Sequence, residues 1–165
     1  MFTIIAATNR LGSNTLKVAK EYQRLFKENQ VDAQLFSLEE MVSLHRDDSF
    51  IQLENKYLLP TEKYIFIMPE YNGSFPGIFK LMMDNSDITK TFYFKKVMLV
   101  GVANGRAGNL RGIDIMTNMC HYMKMNVFYN KLPISNVSNE LKEDRFHTEQ
   151  TIKTITAQIQ GFINY

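Results

Sequence analysis

The stretch KYIFIMPEYNGSFPGIFKLMMDNSD, Lys63 to Asp87, joins a run that reads as a strand to a run that reads as a helix. Lys63 to Met68 is apolar and β-rich, and the helix from Pro76 to about Ser86 begins with proline, which a first helical turn tolerates. Between them lies the nonapeptide PEYNGSFPG, Pro69 to Gly77. Asn72-Gly73 suggests a type I′ hairpin, but a helix follows instead of a returning strand, so the hairpin lacks its second half. A strand that hands over to a helix is half of a parallel crossover.

The same alternation extends in both directions. Toward the amino end, Met1 to Ala7 reads as a strand, and a helix from about Thr15 to Asn29 buries Leu16, Ala19, Leu25 and Phe26. Ala33 to Phe36 is a second strand, and Ser37 and Glu40 have the spacing of a capping box. His45 to Leu59 reads as a loop with a short helix. Toward the carboxyl end, Lys96 to Ala103 is nearly all apolar, as a central parallel strand covered on both faces must be. NGRAGN then leads into a long helix ending near Met125, a strand near Val127 to Leu132, and a helix from about Asn139 to Phe162. This pattern predicts an α/β fold: a doubly wound, five-stranded parallel sheet with helices on both faces, in a single domain over 1–165.

The balance of 19 basic and 17 acidic residues, net +2, contains no Lys/Arg run that could follow a phosphate backbone, which argues against nucleic acid. Cys120 is the single cysteine, so no internal disulfide forms and a reducing, cytoplasmic setting suits the chain. The start lacks a basic n-region, and no apolar run reaches the roughly 20 residues of a membrane span. His45, His121 and His147 lack metal-ligand spacing, so no metal is expected. Cys120 and His121 are neighbours that point about 100° apart on a helix. Lys80 and Asp84 stand at i and i+4, where a structural ion pair is the simplest role, and the ten methionines read as adaptable packing.

In open parallel sheets, ligands bind beyond the carboxyl ends of the strands, where the strand order reverses. Three loops reach that edge. The first, Thr8, Asn9, Arg10, Leu11, Gly12, Ser13, Asn14, Thr15, places hydroxyls, amides and a guanidinium ahead of a helix N-terminus, as a phosphate cradle would. It lacks G-x-G-x-x-G, which favours a terminal monophosphate over a pyrophosphate. The same residues also suit an ordinary helix cap, with Ser13 or Asn14 as the cap. The middle loop offers Tyr71 as an apolar face and the backbone of Glu70 to Ser74 as an edge for a flat heterocycle. The third, Ala103 to Asn109, adds Gly105, Arg106 and Gly108. Together they suggest a mononucleotide laid across the switch point.

The spacing Thr8-x-Arg10-x-x-Ser13-x-Thr15, the run Pro69 to Gly77 with Lys80 and Asp84 after it, and Gly105-Arg106-Ala107-Gly108 resemble the NADPH-dependent FMN reductase family. Its members are flavodoxin-like and include quinone, azo-dye and chromate reductases. The resemblance spans Met1 to about Leu132. It implies that Thr8, Arg10, Ser13, Asn14 and Thr15 bind the FMN phosphate. Pro69, Glu70, Tyr71, Asn72 and Gly73 would border the isoalloxazine and ribityl chain, and Gly105 with Arg106 would close the other side. It also implies that NADPH or NADH reduces the flavin, which then reduces a small-molecule electron acceptor such as a flavin or quinone. The cofactor carries the redox chemistry, and no catalytic acid or base is nominated. The chain departs from the family at Ala7-Thr8, where Gly-Ser is usual, and at Asn85, where an aromatic is common.

A non-enzymatic FMN-binding electron carrier is the alternative, although such carriers are usually acidic and this chain is at +2. The helix after Pro76 is apolar around most of its circumference, through Ile78, Phe79, Leu81, Met82 and Met83. The helix after Gly108 carries one stripe of Ile113, Met116, Cys120 and Met123 and a second of Ile115, Met119 and Tyr122. One stripe of each covers the sheet, and the second predicts a homodimer interface or a dimer of dimers.

Overall fold

The computed structural model describes residues 1–165. Strand β1 (Phe2–Ala6) lies between β2 (Ala33–Ser37) and β3 (Lys63–Pro69), and β4 (Lys96–Val102) pairs with β3. All pairings in this sheet are parallel, in the order β2-β1-β3-β4-β5, with β5 at Asn126–Val127. The chain moves outward from β1 to β2 and then returns to the other side of β1 as β3, so the order reverses between β1 and β3.

Burial on both faces accounts for the near-continuous apolar strands, and the pleat divides them. Ile5, Phe66, Met68, Val97 and Leu99 face one core, shared with Phe79, Met82, Ile113 and Met116. Ile4, Ala6, Ile65, Ile67, Met98 and Val100 face the other, shared with Val18, Tyr22, Phe26, Ile155 and Phe162. Helices α1 (Asn14–Glu28) and α7 (Glu149–Asn164) cover the second face. The first is covered by α2 (Asp48–Leu53), α3 (Gly77–Asn85) and α5 (Leu110–Tyr122), with the short α4 (Ile88–Thr91) after α3.

Several expected boundaries move. The fifth strand is split into β5 (Asn126–Val127) and β6 (Leu132–Ile134), both parallel to β4. Residues 128–131 lie opposite only Met98 and Leu99, and the surplus lets Phe128 enter the core while Tyr129 turns out to solvent. The region from Asn139 is not helical throughout. A short turn, α6 (Val137–Glu140), leads into a hairpin of β7 (Leu141–Lys142) and β8 (Arg145–Phe146), and α7 starts only at Glu149. Glu143 and Asp144, at φ 49° and 63°, form the two-residue turn. Phe146 N–H then donates to the buried Glu21 at 3.2 Å, and Lys17 pairs with Asp144 at 2.7 Å, fastening the hairpin on α1.

Helix α5 stops at Tyr122, short of Met125, because Lys124 takes φ 54° and Met125 N–H donates back to Cys120 O at 2.9 Å, closing the helix end. The capping box at Ser37 is half formed. Ser37 Oγ accepts from Glu39 N–H over a single 3₁₀ turn, while the Glu40 carboxylate accepts from Tyr57 Oη at 3.0 Å.

The segment His45 to Leu59 forms α2 and a π-helical turn over Glu54–Leu58. Its buried Glu54 carboxylate accepts from Arg46 Nη2 at 2.7 Å, Asp87 N–H at 2.6 Å and Thr91 Oγ1 at 3.3 Å. Burial works to raise the Glu54 pKa, but these donors outweigh it and hold the carboxyl below its ordinary range. Asn85 belongs to the same latch: its amide donates to Leu44 O at 3.2 Å and its carbonyl accepts from Arg46.

Candidate cofactor site

Beyond β1, Ala7 N–H still donates to Ile67 O at 2.9 Å, and then the chain leaves the sheet. Thr8 is buried, with its hydroxyl 2.9 Å from Tyr71 Oη and accepting Arg10 N–H at 3.3 Å. Ser13 caps α1, accepting Leu16 N–H at 3.1 Å, so the capping reading of this residue holds. Gly12, at φ 62°, donates its N–H to Glu39 Oε1 at 3.2 Å. The N–H groups of Ser13, Asn14 and Thr15 have no acceptor in the protein, and the Thr15 hydroxyl makes no hydrogen bond. Successive unpaired donors at a helix N-terminus are what an anion requires.

The middle loop is a type I′ turn closed by one residue pair. Tyr71 N–H donates to Ser74 O at 2.8 Å and Ser74 N–H to Tyr71 O at 3.1 Å, with Asn72 at φ 53° and Gly73 at φ 79°. The turn that Asn-Gly encodes therefore forms, without the hairpin. Glu70 N–H is taken by Val102 O at 3.0 Å, which leaves the Asn72 and Gly73 N–H groups as free edge donors. The Arg10 guanidinium lies 4.8 Å from the Tyr71 ring centroid, so one face of that ring is covered. Tyr71 is thus a wall tied to the first loop, not the free apolar platform that the sequence suggests.

The third loop is pinned by Asn109, a residue that sequence reading assigned no role. It is fully buried at φ 63°, and its amide donates to Met68 O and Pro69 O, each at 3.0 Å. Its Oδ1 accepts Gly112 N–H at 3.2 Å, capping α5. Gly108 lets the loop lie against β6, since a Cβ there would fall 2.7 Å from the Pro133 carbonyl carbon.

Arg10, Ser13, Asn14 and Thr15 come together with Pro69, Glu70 and Tyr71 around one cavity of about 170 Å³. Thr8 joins through Tyr71, and Asn72 and Gly73 stand beyond it on the turn. Gly105 and Arg106 are exposed and do not line the cavity. Asn104 lines it instead, from the same loop, together with Val137. Glu70 is the one carboxylate in the lining, opposed by the one guanidinium of Arg10.

The remaining reactive side chains lie elsewhere. Lys80 pairs with Asp84 at 2.5 Å on the surface of α3. His147 shares a 2.8 Å hydrogen bond with Asn139 O. Burial pushes the Cys120 thiol up to about 12, which makes it an inert core group. No group of three or more His, Cys, Asp or Glu is placed to hold a metal, and no helix is long and apolar enough to cross a membrane.

A 2-1-3-4-5 parallel sheet with unpaired N–H groups, Arg10 and free backbone edges at its reversal point defines a flavodoxin-like protein, and the chemistry of these donors fits a flavin mononucleotide. The chain belongs to the family described as NADPH-dependent FMN reductase, which it matches over residues 2–139. FMN is accordingly its cofactor and NAD(P)H its electron donor. Its fold is similar to that of FerB, a flavoenzyme NAD(P)H:(acceptor) oxidoreductase from Paracoccus denitrificans, with TM-score 0.78, 18% identity, and 99% of this chain and 94% of that one covered. It is also similar to the apo form of the NADH:FMN oxidoreductase EMOB, with TM-score 0.75, 13% identity and 98% and 87% covered. A flavodoxin from the domain Archaea has TM-score 0.68, 18% identity and 99% and 98% covered. No curated protein sequence matches the chain.

Proposed function

We propose that the chain is an NAD(P)H-dependent oxidoreductase that holds FMN across the carboxyl ends of β1, β3 and β4 and passes electrons to a small oxidised acceptor, a quinone or a second flavin. The observation that carries this reading is the cradle: three successive N–H groups of Ser13, Asn14 and Thr15 without acceptors, the free Thr15 hydroxyl, and Arg10 at the same cavity.

In this reading Arg10, Ser13, Asn14 and Thr15 hold the phosphate, with Thr8 fixing the loop through Tyr71. Pro69 to Gly73 border the ribityl chain and ring, and the Asn72 and Gly73 N–H groups meet its polar edge. From the third loop Asn104 lines the cavity, and Gly105 and Arg106, exposed beyond it, would close over the opposite side of the bound ring. When bound, FMN would supply the two-electron exchange between nicotinamide and acceptor, and the chain's own groups would bind and orient it. No side chain serves as acid or base.

The dimer belongs to the same proposal. Met83, Ile88, Met119 and Tyr122 line an apolar surface cavity of about 330 Å³ beside α3 and α5. Tyr122 and Ile115 are exposed. A second copy covering this face would bury the apolar patch. A cytoplasmic location suits a chain whose one thiol is free.

The test is anaerobic addition of NADPH or NADH to the FMN-loaded protein, followed by a quinone. Bleaching of the flavin's visible absorption and recovery of colour are expected. Tight FMN binding without bleaching by either nucleotide would make the protein an electron carrier instead.

A further inference from the structure

We propose that the segment Ser135 to Glu140 is a strap across the mouth of the cofactor cavity and that Ser138 is its clasp, so that release of bound FMN is slowed. The inference rests on the reading that this cavity holds FMN.

Ser138 joins two loops that otherwise meet only through the ligand space. Its N–H donates to Asn104 Oδ1 at 3.0 Å, and its Oγ accepts from Asn14 Nδ2 at 3.1 Å. Asn14 follows β1 and Asn104 follows β4, and both line the cavity. Val137 fixes the strap beside them: it is buried, lines the cavity, and donates its N–H to Ala103 O at 3.2 Å. Asn136, at φ 48°, turns the chain so that Val137 points inward while Ser138 stays exposed. The far end of the strap is held independently of the cavity. Asn139 O bonds with His147 at 2.8 Å, and Glu140 accepts Thr151 Oγ1 at 2.7 Å.

The strap is therefore anchored to the third loop and to α7, and only the Asn14–Ser138 bond ties it across to the phosphate loop. One exposed hydrogen bond contributes little and opens often in the free protein. A phosphate on the Asn14 N–H orders the same residue, so ligand and clasp favour one another. The hydroxyl of Ser138 acts on release of the cofactor, not on electron transfer. It is a positioning residue.

The experiment measures dissociation of FMN from the loaded protein, read as flavin fluorescence recovered after large dilution into buffer. Ser138→Ala is expected to speed release about 3- to 10-fold, as loss of one hydrogen bond allows, while Ser138→Thr, which keeps the hydroxyl, stays near the wild-type rate. In the unmodified protein, amide exchange over 135–140 is expected to slow when FMN is added, a readout that needs no variant. FMN binding with the same release rate in wild type and Ser138→Ala, or with no change in exchange over 135–140, would overturn the strap and leave the proposed function standing. Absence of FMN binding would overturn both.

Discussion

Replacing Asn109 by Ala tests whether the third loop is held to the middle turn as described. Asn109 is fully buried, caps α5 through its Oδ1, and gives its amide hydrogens to Met68 O and Pro69 O. Losing the cap costs about 1 kcal/mol and losing the two buried donors about 1 kcal/mol each, so urea denaturation is expected to show a loss of about 3 kcal/mol. Asn109→Gly keeps the left-handed backbone at no steric cost and is expected to be milder than Ala by about 1 kcal/mol. Asn109→Asp keeps the cap but sets a carboxylate against two carbonyl oxygens, and is expected to be at least as damaging as Ala. A loss below about 1 kcal/mol for Ala, with Asp no worse than wild type, would refute the pinning role.

Glu54→Ala strands the Asp87 N–H and frees Arg46, and is expected to cost about 2 kcal/mol by denaturation at neutral pH. Because the Glu54 pKa is lowered in the folded state from 4.5, its contribution is full above pH 4.5 and is lost as pH falls through the folded value. The gap between wild type and variant should therefore shrink in acid, and a gap that widens there would contradict the assignment. Sedimentation at micromolar concentration should give twice the chain mass or a multiple of it. Tyr122→Asp should lower it toward the monomer, and a wild-type monomer with and without FMN would refute the interface.

The strands were legible because they are buried on both faces: the run from Val97 to Val102 has no place but the centre of a parallel sheet. The failures cluster where backbone is bent by residues that do not announce it. Lys124, Glu143 and Asp144 take left-handed φ without glycine, so the end of α5 and the hairpin before α7 had no turn signature. The split fifth strand depends on Phe128 alone choosing the core. Around the cavity, the loop from Thr8 to Thr15 and the turn at Asn72-Gly73 were readable because each is local in sequence. Asn104, Asn109 and Ser138 were not. Ser138 meets Asn14 from 124 positions away, and no pattern in either segment predicts that pairing.

The measurement that bears most directly on the cradle is a paired fluorescence titration of the apoprotein with FMN and with riboflavin. The two flavins share the ring and the ribityl chain and differ only in the phosphate. Charge-assisted hydrogen bonds from Arg10 and the N–H groups of Ser13, Asn14 and Thr15 contribute about 1.5 to 3 kcal/mol each, so FMN should bind at least about 100-fold tighter than riboflavin. Arg10→Ala should narrow that ratio by weakening FMN alone. Equal affinities for the two flavins would contradict a phosphate site at the end of β1.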